Sequence, residues 1–359
     1  MEIAYFVVGL LFLIIGAEAL VRGASRSAAV LGISPLVIGL TVVAFGTSSP
    51  ELAVSIKAAL SGQANIALGN VVGSNIFNVL FILGVASLIV PLVVSRQLMR
   101  IDVPLMILVS VIVLFFSLDG MISFVDGVIF FVGLIIYVWF LIYQSRKESA
   151  KVNAEYSKEF GVDGFSKLDW AKNIGLVIGG LLLLVIGSRW LVESAVSFAQ
   201  YMGVSELVVG LTIVAAGTSL PEVVTSIIAA VRGERDIAVG NVVGSNIFNI
   251  MGVLGISSIV APSGIEVSTA LVGFDIPVMI VVALACFPIF FTGGIISRKE
   301  GVLFLLYYVA YTMYLVLAAS QHDALPMFSS VMFYFAIPLT LVTIFVVALQ
   351  EMRKRKQVS

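Results

Sequence analysis

The chain carries one sequence twice, and each copy places a glutamate in an apolar segment. Residues 39–84 and 210–255 align without a gap, and 29 of their 46 positions are identical at a constant offset of 171. Glu51 and Glu222 occupy equivalent positions in the two copies. A carboxylate inside a segment apolar enough to cross a bilayer is energetically costly and usually functional. We therefore expect the two glutamates to form the functional site.

A proline beside each glutamate predicts a broken helix. Pro50 and Pro221 lack an N–H group and clash with the carbonyl four residues earlier, which belongs to a glycine in both copies. Carbonyls freed by the break, expected around Ala44 to Thr47 in the first copy, must be satisfied by protein, water or an ion. Hydroxyl groups stand next to both breaks, and with the glutamates they are expected to converge near the midplane: Thr47, Ser48, Thr218 and Ser219.

The following apolar segment adds a second oxygen-rich motif, GSNIFN, at 73–78 and 244–249. The serine and the last asparagine of the motif are four residues apart and share one helix face; these are Ser74 with Asn78, and Ser245 with Asn249. Asn75 points elsewhere and is expected to bond to backbone. Every ligand so far is an oxygen, which suits hard cations such as Ca²⁺ and Na⁺ and does not suit Zn²⁺ or Cu.

Composition narrows the class of protein. Of the 359 residues 60% are hydrophobic and 11% are charged, and the mean hydropathy is +1.15, as in a polytopic membrane protein. The net charge of −1 gives no electrostatic footprint for nucleic acid. The only histidine, His322, lies in a short polar link, and a hydrolase using Ser48 or Ser219 would have no base near them. We expect no enzymatic activity and no cofactor.

Hydropathy predicts eleven spanning helices of roughly 18–26 residues, the length that a ~30 Å hydrocarbon core requires. They are 3–21, 35–60, 66–91, 101–118, 123–144, 173–194, 206–231, 237–261, 272–292, 298–319 and 327–350. Lys and Arg set the orientation. Eighteen of the 20 basic residues fall in links on one side if the N-terminus is outside, so the positive-inside rule predicts N-out and C-in. Only Lys57 and Arg189 lie towards the opposite side of the membrane in this orientation.

The repeat sets the architecture. Each half of the chain has five predicted spans, and because five is odd the second half enters the membrane from the opposite side. The predicted fold is an all-α polytopic membrane protein of ten core helices in two inverted five-helix repeats, with helices 2 and 7 broken, plus an extra C-terminal transmembrane helix. Its parts are a first repeat at 1–144, a cytoplasmic linker at 145–172, a second repeat at 173–319, and the extra helix with a basic tail at 320–359. The eleventh helix is either peripheral or an oligomer contact.

Other charged residues near span ends are expected to anchor helices. Asp102 and Asp275 are predicted to be interfacial caps. Two pairs at i, i+4 carry opposite charges and should form ion pairs: Glu18 with Arg22, and Arg189 with Glu193.

The two GTSxPE and GSNIFN copies resemble those of the cation/calcium exchanger superfamily, in particular the prokaryotic sodium/calcium exchangers, and the resemblance covers the first ten spans. It implies alternating access around a central site, with Ca²⁺ held by Glu51, Glu222 and the carbonyls of Thr47 and Thr218. It also implies overlapping Na⁺ sites built from Ala44, Ser48, Ser74, Asn78 and their partners Ala215, Ser219, Ser245 and Asn249. Some relatives, potassium-dependent ones among them, carry Asp where this chain has Asn249, which argues against K⁺ co-transport.

The leading hypothesis is a Na⁺/Ca²⁺ antiporter of the cell membrane, with Ca²⁺, Na⁺ and the lipid bilayer as its partners. The alternative is a Ca²⁺/H⁺ antiporter in which the same two glutamates cycle protons. Serine and asparagine side chains beside them favour Na⁺, whereas additional acids would favour H⁺. A cation channel would require a continuous pore rather than two broken helices that meet at one site.

Overall fold

The structure is a computed structural model that describes residues 2–160, 167–202, 213, 215–291 and 294–338. The described chain is almost wholly helical, in line with its apolar composition. The helices are α1 (Glu2–Leu31), α2 (Pro35–Thr47), α3 (Ser49–Leu60), α4 (64–89), α5 (Leu98–Phe116), α6 (Phe124–Phe160), α7 (Lys167–Tyr201), α8 (Ala215–Gly217), α9 (Leu220–Val231), α10 (Arg235–Val260), α11 (271–291), α12 (Arg298–Ala319) and α13 (325–336). Four two-residue strands complete the elements: β1 (Leu92–Val93), β2 (Met121–Ile122), β3 (Ile265–Glu266) and β4 (Ile295–Ile296).

Eight described helices are long and apolar enough to cross a membrane, and the bent pair α2–α3 makes nine. The predicted all-α polytopic fold is confirmed. Two predicted spans, the seventh and the eleventh, fall partly outside the described residues. The linker predicted at 145–172 continues α6 as far as Phe160, and α7 begins at Lys167.

The second predicted span is broken where its proline requires it. The axes of α2 and α3 differ by 46°, and Ser48 between them has a non-helical backbone with φ −81° and ψ 7°. Pro50 occupies the first turn of α3, where the missing N–H group breaks no helical hydrogen bond. Because α3 has only 12 residues, the break lies near the middle of the span.

The equivalent break follows α8. Ser219 has φ −90° and ψ 8°, and α9 begins at the next residue with Pro221 in its first turn. The segment 203–212, which would form the first half of the seventh span, lies outside the described residues.

The first helices of the two halves pack together through glycines. A Cβ on Gly9 would lie 2.9 Å from the Gly187 carbonyl oxygen, and one on Gly16 would lie 2.8 Å from that of Gly180. Only glycine allows the backbones to come so close. Because the residue number rises along α1 as it falls along α7, the helices are antiparallel. The repeat offset of 171 converts the contact between Gly9 and Gly187 into the contact between Gly180 and Gly16, as expected for inverted repeats.

The short strands also pair between the two halves of the chain. The antiparallel pair β1–β4 aligns Leu92 with Ile296, and the pair β2–β3 aligns Met121 with Glu266. Each ribbon joins a strand from one half to a strand from the other, next to the ends of the helices.

Both predicted ion pairs form. Arg22 Nε lies 2.5 Å from Glu18 Oε1, and Arg189 Nε lies 2.8 Å from Glu193 Oε1. Glu18 also pairs with Arg232, which directly follows α9. The Glu18 cluster therefore ties α1 to the helix that carries Glu222.

The predicted role of Asp102 as an interfacial cap is wrong. Its side chain is fully buried and caps no helix; the Tyr137 hydroxyl donates to Oδ1 over 2.8 Å. In the other half the Tyr311 hydroxyl donates to Asp275 over 2.9 Å. Each pair ties the fourth helix of its half to the fifth.

Candidate functional site

The two repeated glutamates are buried and each is bonded across the repeat boundary. Glu51 and Glu222 both have 0% exposure. Ser219 Oγ donates to Glu51 Oε1 over 2.8 Å, and Ser48 Oγ donates to Glu222 Oε1 over 2.9 Å. Each serine lies at the break of one span and bonds to the carboxylate of the other. The site is therefore assembled from both halves of the chain.

Helix ends add favourable electrostatics at this point. Glu51 lies in the first turn of α3, and Glu222 lies in the first turn of α9. The positive end of a helix dipole favours a negative charge in its first turn. Neither glutamate has a Lys, Arg or His within 4.0 Å in the part of the chain that the structure describes. Their negative charges are thus left without a protein cation.

Several buried oxygens around the carboxylates have no hydrogen-bond partner. A buried polar atom without a partner is costly, and here such atoms concentrate on the repeated motifs. Within the described residues they include Glu51 Oε2, Glu222 Oε2, Asn78 Oδ1, Asn249 Oδ1, Ser245 Oγ and Thr218 Oγ1. All of them can accept from a hydroxyl or coordinate a cation, and all belong to residues that the sequence predicts for the site.

The remaining predicted ligands lie at or beside the breaks. Ser74 is buried, and its Oγ lies 3.3 Å from Ser219 Oγ. Thr47 is buried and donates to Asn241 Oδ1 over 3.1 Å. Ala215 is the first residue of α8.

The expectation of a freed carbonyl at Ala44 is wrong. This carbonyl accepts the Ser48 N–H over 3.0 Å, and Thr47 Oγ1 lies 3.4 Å from it. The backbone recovers one helical hydrogen bond before the break, because Pro50 lies two residues beyond Ser48.

One asparagine in each half bonds to the helix that carries the glutamate of that half. Asn70 Nδ2 donates to Ser55 Oγ over 3.0 Å and to the Glu51 carbonyl oxygen over 3.2 Å. Asn241 Nδ2 donates to Ser226 Oγ over 3.0 Å and to the Glu222 carbonyl oxygen over 3.5 Å. These bonds hold the glutamate-bearing half-helices against α4 and α10.

Asn78 and Asn249 begin wider helical turns. Asn78 opens a π-helical stretch at Asn78–Ile82, and Asn249 opens one at Asn249–Leu254. Such turns are frequent at functional sites. Asn78 Nδ2 donates to Asn246 Oδ1 over 3.0 Å, and Asn249 Nδ2 donates to Asn75 Oδ1 over 3.1 Å. Both amides are thus bonded to the opposite repeat.

Sequence reasoning underrated Asn75 and Asn246. The predicted backbone bond of Asn75 is confirmed, since its Nδ2 donates to the Asn246 carbonyl oxygen over 3.2 Å. The reciprocal bond from Asn246 to the Asn75 carbonyl oxygen measures 3.3 Å. Their hydrogen bonds to Asn249 and Asn78 of the other repeat were missed. Its signal was the identity of all six residues of GSNIFN in both copies.

Thr225 was also missed. It is fully buried one turn after Glu222, and its Oγ1 has no partner within the described chain. Its equivalent in the first copy is Val54, so the repeat gave no signal for it.

Known proteins share this architecture and sequence. The family model described as sodium/calcium exchanger protein matches residues 1–143 and 172–317. The putative antiporter CaxA of Alkalimonas amylolytica is 38% identical over 312 residues, which cover 86% of this chain and 96% of CaxA. The sodium/calcium exchanger MaX1 of Methanosarcina acetivorans is 36% identical over 338 residues, with the same coverage of 86% and 96%.

A solved structure agrees. The sodium-calcium exchanger NCX_Mj, soaked with zero Na⁺ and Ca²⁺, superposes with a TM-score of 0.73 and 29% identity, covering 89% of this chain and 99% of that one. The family match covers both halves of the chain and leaves out the region between them and the C-terminal segment. The chain is a multi-pass membrane protein that belongs to the sodium/calcium exchanger protein family.

Proposed function

We propose that the chain is a Na⁺/Ca²⁺ antiporter that binds Ca²⁺ between Glu51 and Glu222. One observation carries the proposal. Two fully buried carboxylates, one from each repeat, each have one oxygen without a hydrogen-bond partner among the described residues. No Lys, Arg or His among the described residues lies within 4.0 Å of either carboxylate. Leaving buried carboxylates without a compensating charge is strongly unfavourable. A divalent cation neutralises both.

The ligand chemistry favours a hard cation. Carboxylate, hydroxyl and amide oxygens suit Ca²⁺, and no third Asp or Glu, and no Cys or His, joins the pair to form a metal cluster in the described part of the chain. Thr47 and Thr218, beside the two breaks, would add their carbonyl oxygens. MaX1 and NCX_Mj, both sodium/calcium exchangers by name, support the choice of ion.

Na⁺ would bind at overlapping positions. Unpartnered oxygens of Asn78, Asn249 and Ser245 lie on the helices next to the glutamates, and neutral oxygens suit a monovalent ion. The remaining Na⁺ ligands would be Ser48, Ser74, Ser219 and the carbonyl of Ala215, since the Ala44 carbonyl already accepts the Ser48 N–H over 3.0 Å. Because the sites share residues, Na⁺ and Ca²⁺ would bind in turn and not together.

Shared sites also explain coupled exchange. Moving an empty site would carry two uncompensated carboxylates through the low-dielectric interior. The carrier would therefore reorient only when loaded. Ca²⁺ leak through the purified protein in the absence of any counter-ion would contradict this step.

Transport of ⁴⁵Ca²⁺ into proteoliposomes tests the proposal. Vesicles loaded with Na⁺ and diluted into Na⁺-free buffer should take up Ca²⁺, and Glu51→Gln or Glu222→Gln should abolish uptake by removing one of the two charges. Glu193→Gln is the matched control, because Glu193 is exposed and pairs with Arg189 on the surface of α7. It should transport like the unaltered protein. Na⁺-driven uptake that persists in Glu51→Gln would refute the assignment.

The same preparation separates the two antiporter hypotheses. Matched vesicles carry a pH gradient and no Na⁺. Uptake in these vesicles alone would assign the chain to Ca²⁺/H⁺ exchange and leave Asn78 and Asn249 as packing residues. We expect uptake only in the Na⁺-loaded vesicles.

We also propose a location in the cell membrane with the N-terminus outside and the C-terminus in the cytoplasm, on the distribution of Lys and Arg. Single cysteines in a Cys286→Ser background test it. His322→Cys, in an exposed link, should react with an impermeant thiol reagent on intact cells, whereas Arg96→Cys should react only after permeabilisation. The opposite labelling pattern would invert the topology.

A further inference from the structure

We propose that Asn75 and Asn246 are positioning residues that fix the amide orientation of the ligand asparagines Asn249 and Asn78 across the boundary between the repeats. The inference rests on the proposed cation site and goes beyond its ligands. Asn75 and Asn246 are each 2% exposed. Neither is among the ligands proposed for the site.

The orientation of each ligand amide follows from its one side-chain bond. Asn78 Nδ2 donates to Asn246 Oδ1 over 3.0 Å, which turns Asn78 Oδ1 the other way, where it has no partner among the described residues. Rotating the amide by 180° would set two carbonyl oxygens against each other. It would also aim an N–H donor where a cation is proposed to bind. Asn78 Oδ1 is thus oriented towards the proposed ion position before the ion binds.

Asn75 and Asn246 are in turn held by the backbone. Asn246 Nδ2 donates to the Asn75 carbonyl oxygen over 3.3 Å and lies 3.5 Å from Met106 Sδ. In the equivalent arrangement of the other repeat, Asn75 Nδ2 donates to the Asn246 carbonyl oxygen over 3.2 Å and lies 3.7 Å from Met279 Sδ. With both N–H groups of each amide directed at acceptors, Oδ1 is left to receive the ligand asparagine.

The bonds cross between repeats, and this makes the proposal specific. Asn75 orients Asn249 and does not bond Asn78, three residues away on its own helix. Asn246 orients Asn78 and does not bond Asn249. Residues that orient metal ligands typically change metal affinity by about 10–100-fold when removed. We expect changes of this size in Na⁺ affinity, because Asn78 and Asn249 are proposed Na⁺ ligands.

The test is a double-mutant cycle on the half-saturating Na⁺ concentration for ⁴⁵Ca²⁺ release from proteoliposomes. Asn75→Leu should raise this concentration about tenfold. In an Asn249→Ala background the same substitution should change it less than twofold, since the amide that it orients is gone. In an Asn78→Ala background, the matched control, the tenfold effect should remain. Asn246→Leu should show the reverse dependence.

Variants that do not transport are measured by the Na⁺-induced rise in melting temperature of the purified protein in detergent, which reads the same cycle. A tenfold effect of Asn75→Leu that persists in the Asn249→Ala background would overturn the proposal, and so would no effect in the otherwise unaltered protein. Asn75→Asp adds a second check, because it keeps an acceptor for Asn249 but loses the donor to backbone. It should retain most of the Na⁺ affinity, whereas a purely structural Asn75 predicts that both substitutions fail alike.

Failure of the proposed function gives a different result. An unaltered protein whose Ca²⁺ transport does not respond to Na⁺ would refute Na⁺ exchange, and this inference with it. A Na⁺-dependent protein with equal effects in both backgrounds would overturn only the positioning role.

Discussion

Glu51 and Glu222 each accept a hydrogen bond from a serine that belongs to the other repeat. At this scale the site depends on pairs that lie far apart in sequence and cannot be formed by either half alone. A hydrogen bond to a charged group contributes about 1.5–3 kcal/mol. The serines therefore hold the carboxylates in place as well as supplying oxygens.

Ser219→Ala tests that contribution. Loss of the 2.8 Å bond frees Glu51 Oε1 from its fixed position, and the KM for Ca²⁺ should rise about tenfold or more. Ser258→Ala is the matched control, because Ser258 is also fully buried but donates to the Leu254 carbonyl of its own helix over 2.8 Å. Equal KM values for the two variants would contradict a role for Ser219 at the carboxylate.

Helix pairs carry the symmetry at the scale of elements. α1 and α7 are equivalent helices that pack antiparallel through Gly9, Gly16, Gly180 and Gly187, with carbonyl oxygens less than 3 Å from where a Cβ would stand. α3 and α9 are equivalent half-helices that bring their first turns to one site. Close backbone contact in one pair and a break in the other accompany a site in which both glutamates are buried.

Gly16→Ala should separate α1 from α7. Its Cβ would meet the Gly180 carbonyl oxygen at 2.8 Å and Leu184 N at 2.9 Å, and overpacking of this kind costs about 1–3 kcal/mol. The melting temperature in detergent should fall. Gly175→Ala is the control on α7, since this glycine is exposed and alanine favours the helix by about 1 kcal/mol. A lower melting temperature for Gly175→Ala, or an unchanged one for Gly16→Ala, would show that the contact does not limit stability.

At the scale of the whole molecule, the charge of the site depends on its two buried carboxylates. Under the proposed function one Ca²⁺ would neutralise them, and a Na⁺-loaded state with more than two ions would be positive. A cycle of this kind moves net charge across the membrane and responds to voltage, by about 2.3 kcal/mol per charge per 100 mV. Large apolar side chains are exposed along α1, α6 and α7, as expected of helices that contact lipid.

Ca²⁺ uptake by Na⁺-loaded vesicles should therefore accelerate when the interior is clamped positive with valinomycin and K⁺. Net positive charge leaves with Na⁺ in each cycle, so an inside-positive voltage drives it. An inside-negative clamp should slow uptake. Identical rates under both clamps would show that only two Na⁺ exchange for each Ca²⁺.

The sequence by itself determined the all-α membrane fold, the two copies and the identity of the paired glutamates. Hydropathy and a gapless repeat are local signals, and proline breaks a helix wherever it stands inside one. Pro50 thus predicted the break at Ser48, which the 46° bend confirms.

Only the tertiary structure decided which side chains meet. The bonds from Ser48 to Glu222 and from Asn249 to Asn75 each join residues 174 positions apart, and no periodicity encodes such distances. Asp102 was mistaken for a cap for the same reason, because its partner Tyr137 lies on another helix. Local propensity fixes helices and breaks, whereas hydrogen bonds between halves depend on how the helices pack.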